Sequence, residues 1–220
     1  MENTNLRIDI GCGSAKKSNT IGLDFAPNPG VDYVLDLSSE PLPFKDQTVI
    51  YTHSSHFFEH LKNPIPIFQE INRVSMENAE LEFWTPYAWS NTAFILGHET
   101  FLTEDFYFHF QWYCDFWRNV IGAYWSINEI RYVIYPETLL YLYKKNISVD
   151  FAVRHLKDVA YEFCVFITVS HKTEKPIFPK LRRTFSTGRF ESAYEIKEDL
   201  ANRQIDLEIL NKAILANKAL

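Results

Sequence analysis

Ile8-Asp9-Ile10-Gly11-Cys12-Gly13-Ser14, followed closely by Ile21-Gly22-Leu23-Asp24-Phe25, decides how this chain is read. An apolar run enters a turn punctuated by glycines, and a second apolar run ends in a carboxylate. Runs of this length, bounded by turn residues, are the pattern of buried parallel strands. Glycine lets backbone approach a ligand with no Cβ in the way. An aspartate closing the next strand can accept hydrogen bonds from both hydroxyls of a ribose. Together they predict a nucleotide-shaped cleft at the carboxyl ends of parallel strands.

The pattern continues outward. Val31-Asp32-Tyr33-Val34-Leu35-Asp36-Leu37 adds a third strand with a carboxylate near its end. Pro41-Leu42-Pro43-Phe44-Lys45-Asp46 then leads into Val49-Ile50-Tyr51-Thr52, and Ser54-Ser55-His56-Phe57-Phe58-Glu59-His60-Leu61 follows. Strands are expected over residues 6–10, 20–24, 32–35 and 48–52. Asn63-Pro64 reads as a helix start, and Ile65, Phe68, Ile71 and Val74 keep near-helical spacing, so a helix is expected over 64–75. Residues 80–85 alternate like a strand that Pro86 stops.

This ordered series, over roughly residues 6–86, resembles the class I S-adenosylmethionine-dependent methyltransferases. It is most similar to small bacterial members with a short first crossover, of the kind found in glycan and natural-product pathways. The resemblance implies an α/β, Rossmann-like methyltransferase sheet of parallel strands with an antiparallel edge hairpin. It implies S-adenosyl-L-methionine as cofactor. Gly11, Cys12 and Gly13 would form the turn beside its methionine and ribose, with Asp9 ordering the turn or meeting the amino group. Asp24 would take the ribose hydroxyls and Phe25 would pack on the adenine. Asp36 would accept from the adenine amino group, beside the Leu37 amide. Thr52, His53 and Ser54 would lie next to the transferred methyl.

A nicotinamide-binding turn is the nearest competitor. It wants a third glycine where Lys16 stands, and its acidic residue comes later than Asp24. The chain also departs from the broad methyltransferase pattern. Residues 14–19 are too few for a full crossover helix, so the first helix is expected to be a turn or less. Lys16 or Lys17 could meet the methionine carboxylate in its place. Met76-Glu77-Asn78-Ala79 replaces the usual glycine-rich turn before the fifth strand.

Residues 83–128 form an aromatic segment holding all five tryptophans. In the family such a segment covers the acceptor, so Trp84, Tyr87 and Trp89 are the expected acceptor-lining residues, with most of the other rings serving as core. Residues 129–135 and 161–170 read as the two strands of the antiparallel hairpin, with helices over 137–145 and 150–159 between them. Composition shifts near residue 176. A methyltransferase domain over 1–175 and a C-terminal extension over 176–220 are expected, with an amphipathic helix over 193–220 that packs on its own domain, dimerises or docks on a partner.

The formal net charge of −6 argues against a general nucleic-acid binder. Cys12, Cys114 and Cys164 have neither zinc nor disulfide spacing. The polar start predicts no signal peptide, and no apolar stretch is long enough for a membrane span, so a cytoplasmic protein is expected.

The acceptor implied is a small molecule or glycan, methylated on a hydroxyl by in-line displacement. An alcohol must lose its proton as the bond forms, which calls for a base, and histidine is the natural one. His98, in a segment similar to one found over the substrate in glycan methyltransferases, and His56, after the fourth strand, are the expected candidates. His56, Glu59 and His60 do not match the H-E-x-x-H zinc pattern, so no metal is expected. The alternative is a non-catalytic scaffold or docking module of a biosynthetic assembly that kept the fold.

Overall fold

The computed structural model describes residues 5–196 and 214–215. Leu6–Ile10 (β1) and Ile21–Asp24 (β2) are parallel neighbours, joined by a tight loop with no helix. Inside that loop the Gly11 and Cys12 amides both donate to the Leu23 carbonyl, at 2.8 and 3.2 Å, so the turn is fastened to β2. Tyr33–Val34 (β3) is short and exposed at the edge of the sheet. Val49–Ser55 (β4) lies on the other side of β1.

A 3-10 turn over Phe58–His60 precedes the helix Ile65–Val74 (α1). The Asn63 side chain accepts from the Ile65 amide, and Pro64 caps the helix, as its fixed φ favours. Ile67, Phe68, Ile71 and Val74 fall on the buried face of α1, and the chain turns extended at Ser75. Ser75–Pro86 (β5) begins earlier than its alternating segment suggests and ends at the proline.

The aromatic segment is largely the crossover from β5 to β6, and it holds two helices its composition did not disclose. Glu104–Trp112 (α2) starts at Thr103, whose side chain accepts from the Phe106 amide, with Glu104 and Asp105 in its first turn. Cys114–Ile121 (α3) ends at Gly122, whose φ of +87° supplies the left-handed stop. Tyr124–Ile134 (β6), Pro136–Lys144 (α4), Val149–His155 (α5) and Ala160–Ser170 (β7) complete the expected helices and antiparallel pair.

Among the described residues the sheet order is β3-β2-β1-β4-β5-β7-β6-β8-β9. Strands β1 to β5 are parallel, and β7 runs antiparallel between β5 and β6. The sheet continues past β6, through Arg182–Ser186 (β8), parallel to it, and Tyr194–Glu195 (β9). The start of the C-terminal extension is thus part of the same sheet. The helix expected over 193–220 begins instead as β9. Residues 214–215 are helical, and the rest of that expectation lies outside the described residues. Among the described residues no helix is long and apolar enough to cross a membrane.

Alternation sorts the sheet into two faces. Ile8, Ile10, Leu81, Phe83, Val165 and Ile167 join the core with α1 and the aromatic crossover. Phe68 lies at the centre of that core, its ring 4.9 Å from Trp125, 5.2 Å from Phe58 and 5.9 Å from Phe110. The opposite face carries charge, and the site lies there.

Candidate functional site

Strand register lines up one row of side chains across the polar face. Asp9 pairs with His53, His53 with Glu82, Glu82 with Phe166, and Phe166 with Glu129. The next row runs Ser55, Trp84, Cys164, Arg131. Between these rows and the glycine turn lies a cavity of about 730 Å³, a size suited to a small ligand. Asp9, Gly11, Cys12, Lys16, Lys17, His53, Ser55, Glu82, Trp84, Arg131, Phe166, Arg189 and Phe190 are among its lining residues.

Asp9 is buried and uses both oxygens. Oδ1 lies 2.7 Å from Nδ1 of His53, and Oδ2 accepts from the Lys17 amide at 2.7 Å. Asp9 therefore fastens the turn at Lys17 and also orients a histidine. Nε2 of His53 has no protein partner among the described residues. Glu82 accepts from Lys17 Nζ at 2.6 Å, from the Tyr51 hydroxyl at 2.5 Å and from Trp84 Nε1 at 2.7 Å. Burial works against the Glu82 charge, but these three donors outweigh it and hold its carboxyl below the usual range. Burial and the nearby Asp9 and Asp24 charges push the Cys12 thiol up to about 11, so it is no nucleophile at neutral pH. Lys16 reaches away to Asp32, at 2.7 Å.

The glycine turn fits a cofactor. Gly13 has a φ of +53°, and a Cβ built there would meet nothing within 4 Å, which leaves an open cradle beside the turn. Gly11 differs, with a φ of +66° and a Cβ that would lie 2.6 Å from the Phe57 ring. Gly11→Ala is expected to lower folding stability by roughly 2–3 kcal/mol in chemical denaturation, from left-handed strain plus overpacking. A loss under about 1 kcal/mol would show that the turn relaxes freely.

The other cofactor candidates fall in varied places. Asp24 is buried at the end of β2, where Oδ2 accepts from the Gly13 amide at 2.8 Å and Oδ1 from the Ala26 amide at 3.0 Å. One carboxylate thus closes the turn, with lone pairs left for further donors. Asp36 is exposed and accepts from the Ser38 amide and the Ser38 and Ser39 hydroxyls, which hold its carboxyl below the ordinary range. Leu37 is buried and Phe25 is exposed. Ser54 donates to the Ile10 carbonyl, and Thr52 is buried with its hydroxyl unpartnered among the described residues.

The structure corrects four expected roles. Tyr87 is core: it is buried, its hydroxyl donates to the Val153 carbonyl at 3.1 Å, and its ring packs edge-on against Tyr132 and Phe163. Trp89 is exposed and stands apart from the cavity lining, leaving Trp84 alone of the three expected aromatics. His56 has no nitrogen free for a substrate proton, because Nδ1 lies 3.0 Å from Glu59 and Nε2 lies 3.0 Å from Glu162. Burial works against its charge, but the two carboxylates more than offset this and push its pKa up to about 9. His98 is not among the cavity-lining residues, and its Nδ1 engages the Ala93 carbonyl at 3.1 Å.

Sequence reasoning missed the far wall. Arg189 arrives from the C-terminal extension, lies over the Trp84 ring at 5.4 Å, and donates to Ser55 and to both oxygens of Glu162. Arg131 lies over the Phe166 ring at 4.9 Å. No short motif joins such distant residues; only register brings them together.

No family model matches the chain, and no curated protein matches it. Solved structures do. An S-adenosylmethionine-dependent methyltransferase from Archaeoglobus fulgidus is similar over 75% of this chain and 86% of its own, at 14% identity and a TM-score of 0.53. One from Methanosarcina mazei is similar over 78% of this chain and 95% of its own, at 15% identity and a TM-score of 0.48. One from Mesorhizobium loti covers 76% and 93%, at 15% identity and a TM-score of 0.43. The Archaeoglobus likeness, together with the sheet order, shows that this chain has the Rossmann-like fold of the class I S-adenosylmethionine-dependent methyltransferases.

Proposed function

We propose that the protein is an S-adenosylmethionine-dependent methyltransferase acting on a hydroxyl of a sugar or secondary metabolite. The observation that carries this reading is the open glycine cradle at Gly13, closed from behind by Asp24, beside a cavity that contains the Asp9–His53 pair. The cofactor supplies an electrophilic methyl group. Gly11, Cys12 and Gly13 would hold its methionine and ribose end, Asp24 would receive the ribose hydroxyls, and Asp36 and Leu37 would take the adenine edge. Trp84 and Phe166 line the cavity with Arg189 and Arg131 over their rings, so the acceptor would meet an aromatic wall that carries two cations.

His53, rather than His56 or His98, serves as the base. Its Nδ1 proton is held by Asp9, which fixes the tautomer with a lone pair on Nε2. With the cofactor bound, His53 Nε2 would accept the proton of the acceptor hydroxyl as the O–CH3 bond formed and the S–CH3 bond broke, the neutral thioether leaving and the proton passing later to water. The cavity walls would add to this by holding the acceptor oxygen in line with the methyl group, an effect worth up to about 7–11 kcal/mol in well-oriented reactions.

Calorimetric titration with S-adenosylhomocysteine tests the cofactor site. Wild type is expected to bind in the micromolar range. Asp24→Ala should weaken binding by about 10–100-fold, the worth of one or two hydrogen bonds to a charged acceptor. Absence of heat with wild type would overturn the enzyme reading in favour of a scaffold that kept the fold.

A further inference from the structure

Away from the cavity, Glu59, His60 and His98 converge. Each offers one ligand atom, and the three lie within 4.8 Å of one another. Glu59 and His60 come from the 3-10 turn after β4, whereas His98 comes from the loop before α2. The two histidine rings meet edge to face, with centroids 4.9 Å apart.

We propose that this triad is a divalent transition-metal site, with Zn²⁺ as its natural occupant. Three independent features support it. First, Oε2 of Glu59 is buried and has no hydrogen-bond partner among the described residues. A buried carboxylate oxygen without a donor is costly, and a cation resolves that cost. Second, each histidine already has one ring nitrogen engaged by a backbone carbonyl. His60 Nδ1 engages the Gly97 carbonyl at 3.0 Å, and His98 Nδ1 engages the Ala93 carbonyl at 3.1 Å. Each carbonyl fixes the proton on Nδ1 and leaves the Nε2 lone pair free, the arrangement that metal-ligating histidines show. Third, the other oxygen of Glu59 is held by His56, as ligating carboxylates are commonly held from behind.

The donor set is two imidazoles and one carboxylate, with no thiolate. That suits Zn²⁺ with water in a fourth position. Tetrahedral ligands at about 2.0–2.1 Å from zinc lie roughly 3.4 Å apart, so the triad needs to close by less than about 1.5 Å. His60 is exposed and can make that movement. The loop is already seated, because the Glu99 and Thr100 amides donate to the Glu59 carbonyl at 2.7 and 3.0 Å. A bound ion would pin the segment 91–100 to the end of β4. Spacing within one helical turn could not reveal the site, since the third ligand stands far along the chain.

The test uses the full-length protein freed of metal with a chelator. Zn²⁺ is titrated against a chromophoric competitor, and Co²⁺ is added separately as a spectroscopic probe. One equivalent of Zn²⁺ should bind at micromolar affinity or tighter, and Co²⁺ should give a visible absorption band of low-symmetry coordination. His60→Ala, at an exposed position, should weaken Zn²⁺ binding by on the order of 100-fold and abolish the band, with far-UV circular dichroism unchanged. His98→Gln should do the same, and His155→Ala, at an exposed position on α5, should leave both readouts intact. Substoichiometric binding by wild type, wild-type affinity in both ligand variants, or an equal loss in His155→Ala would overturn the proposal. Binding of S-adenosylhomocysteine is read separately, so failure here leaves the methyltransferase reading standing.

Discussion

His53→Ala is expected to lower kcat for a hydroxyl acceptor by about 10²–10⁴-fold, the range a positioned base supplies, while S-adenosylhomocysteine binding stays within a few fold of wild type. The argument rests on geometry: Nδ1 is committed to Asp9 at 2.7 Å, and the ring lines the cavity. Asp9→Asn gives a sharper version of the same test. Oδ2 of Asp9 accepts from the Lys17 amide, so in this variant the side-chain amide oxygen would keep that bond and its NH₂ would turn toward His53. An NH₂ can only donate, so Nδ1 would have to accept and the ring proton would move to Nε2. A base with a proton on its working nitrogen cannot take another from substrate. The variant should therefore lose kcat without losing the ring or the fold. The measurement is steady-state kinetics on whichever hydroxyl acceptor a screen identifies, beside calorimetry of the cofactor product. A fall in kcat of less than tenfold in His53→Ala would remove His53 from the base role.

Phe68→Ala should cost about 3–5 kcal/mol of folding stability, read as a lowered midpoint in denaturant at unchanged slope. The ring is fully buried on α1 and meets Phe58, Phe83, Phe106, Phe110 and Trp125, with centroids 4.9 to 6.5 Å away. These neighbours come from the 3-10 turn, β5, α2 and β6, so no single element can shift to fill the space. Phe94→Ala, at an exposed ring in the same aromatic-rich segment, should stay within about 0.5 kcal/mol. The contrast separates two kinds of ring that composition lumps together. If Phe68→Ala cost under about 1 kcal/mol, the crossover would be collapsing around the cavity instead of holding its shape.

Much of the fold was legible because its signals are local. The apolar runs of β1, β2 and β4, the Asn63-Pro64 helix start and the Pro86 stop each act over a few residues, and each of these elements forms in its expected region, although β4 runs on to Ser55 and β5 begins already at Ser75. The missing first helix was legible from loop length alone. The helices α2 and α3 were not, because aromatic side chains are indifferent helix formers and their dense packing masks the period. The cap at Thr103 and the stop at Gly122 were the available signals. The edge of the sheet was only half legible, since β8 and β9 form from a basic, proline-bearing stretch whose pairing depends on an open edge at β6.

The sequence by itself determined the parallel start of the sheet, the glycine turn and the carboxylate that closes it, because backbone constraints at Gly11, Gly13 and Asp24 act within a single loop. Tertiary structure alone decided which residues share the cavity. A strand shows its side chains to alternate faces, so a register shifted by one residue would exchange His53 for Thr52 or Ser54 in the row beside Asp9. The same dependence placed Tyr87 in the core, brought Arg189 to Trp84, and set His98 beside Glu59 and His60. These meetings rest on pairings between distant segments, fixed only when the whole core packs.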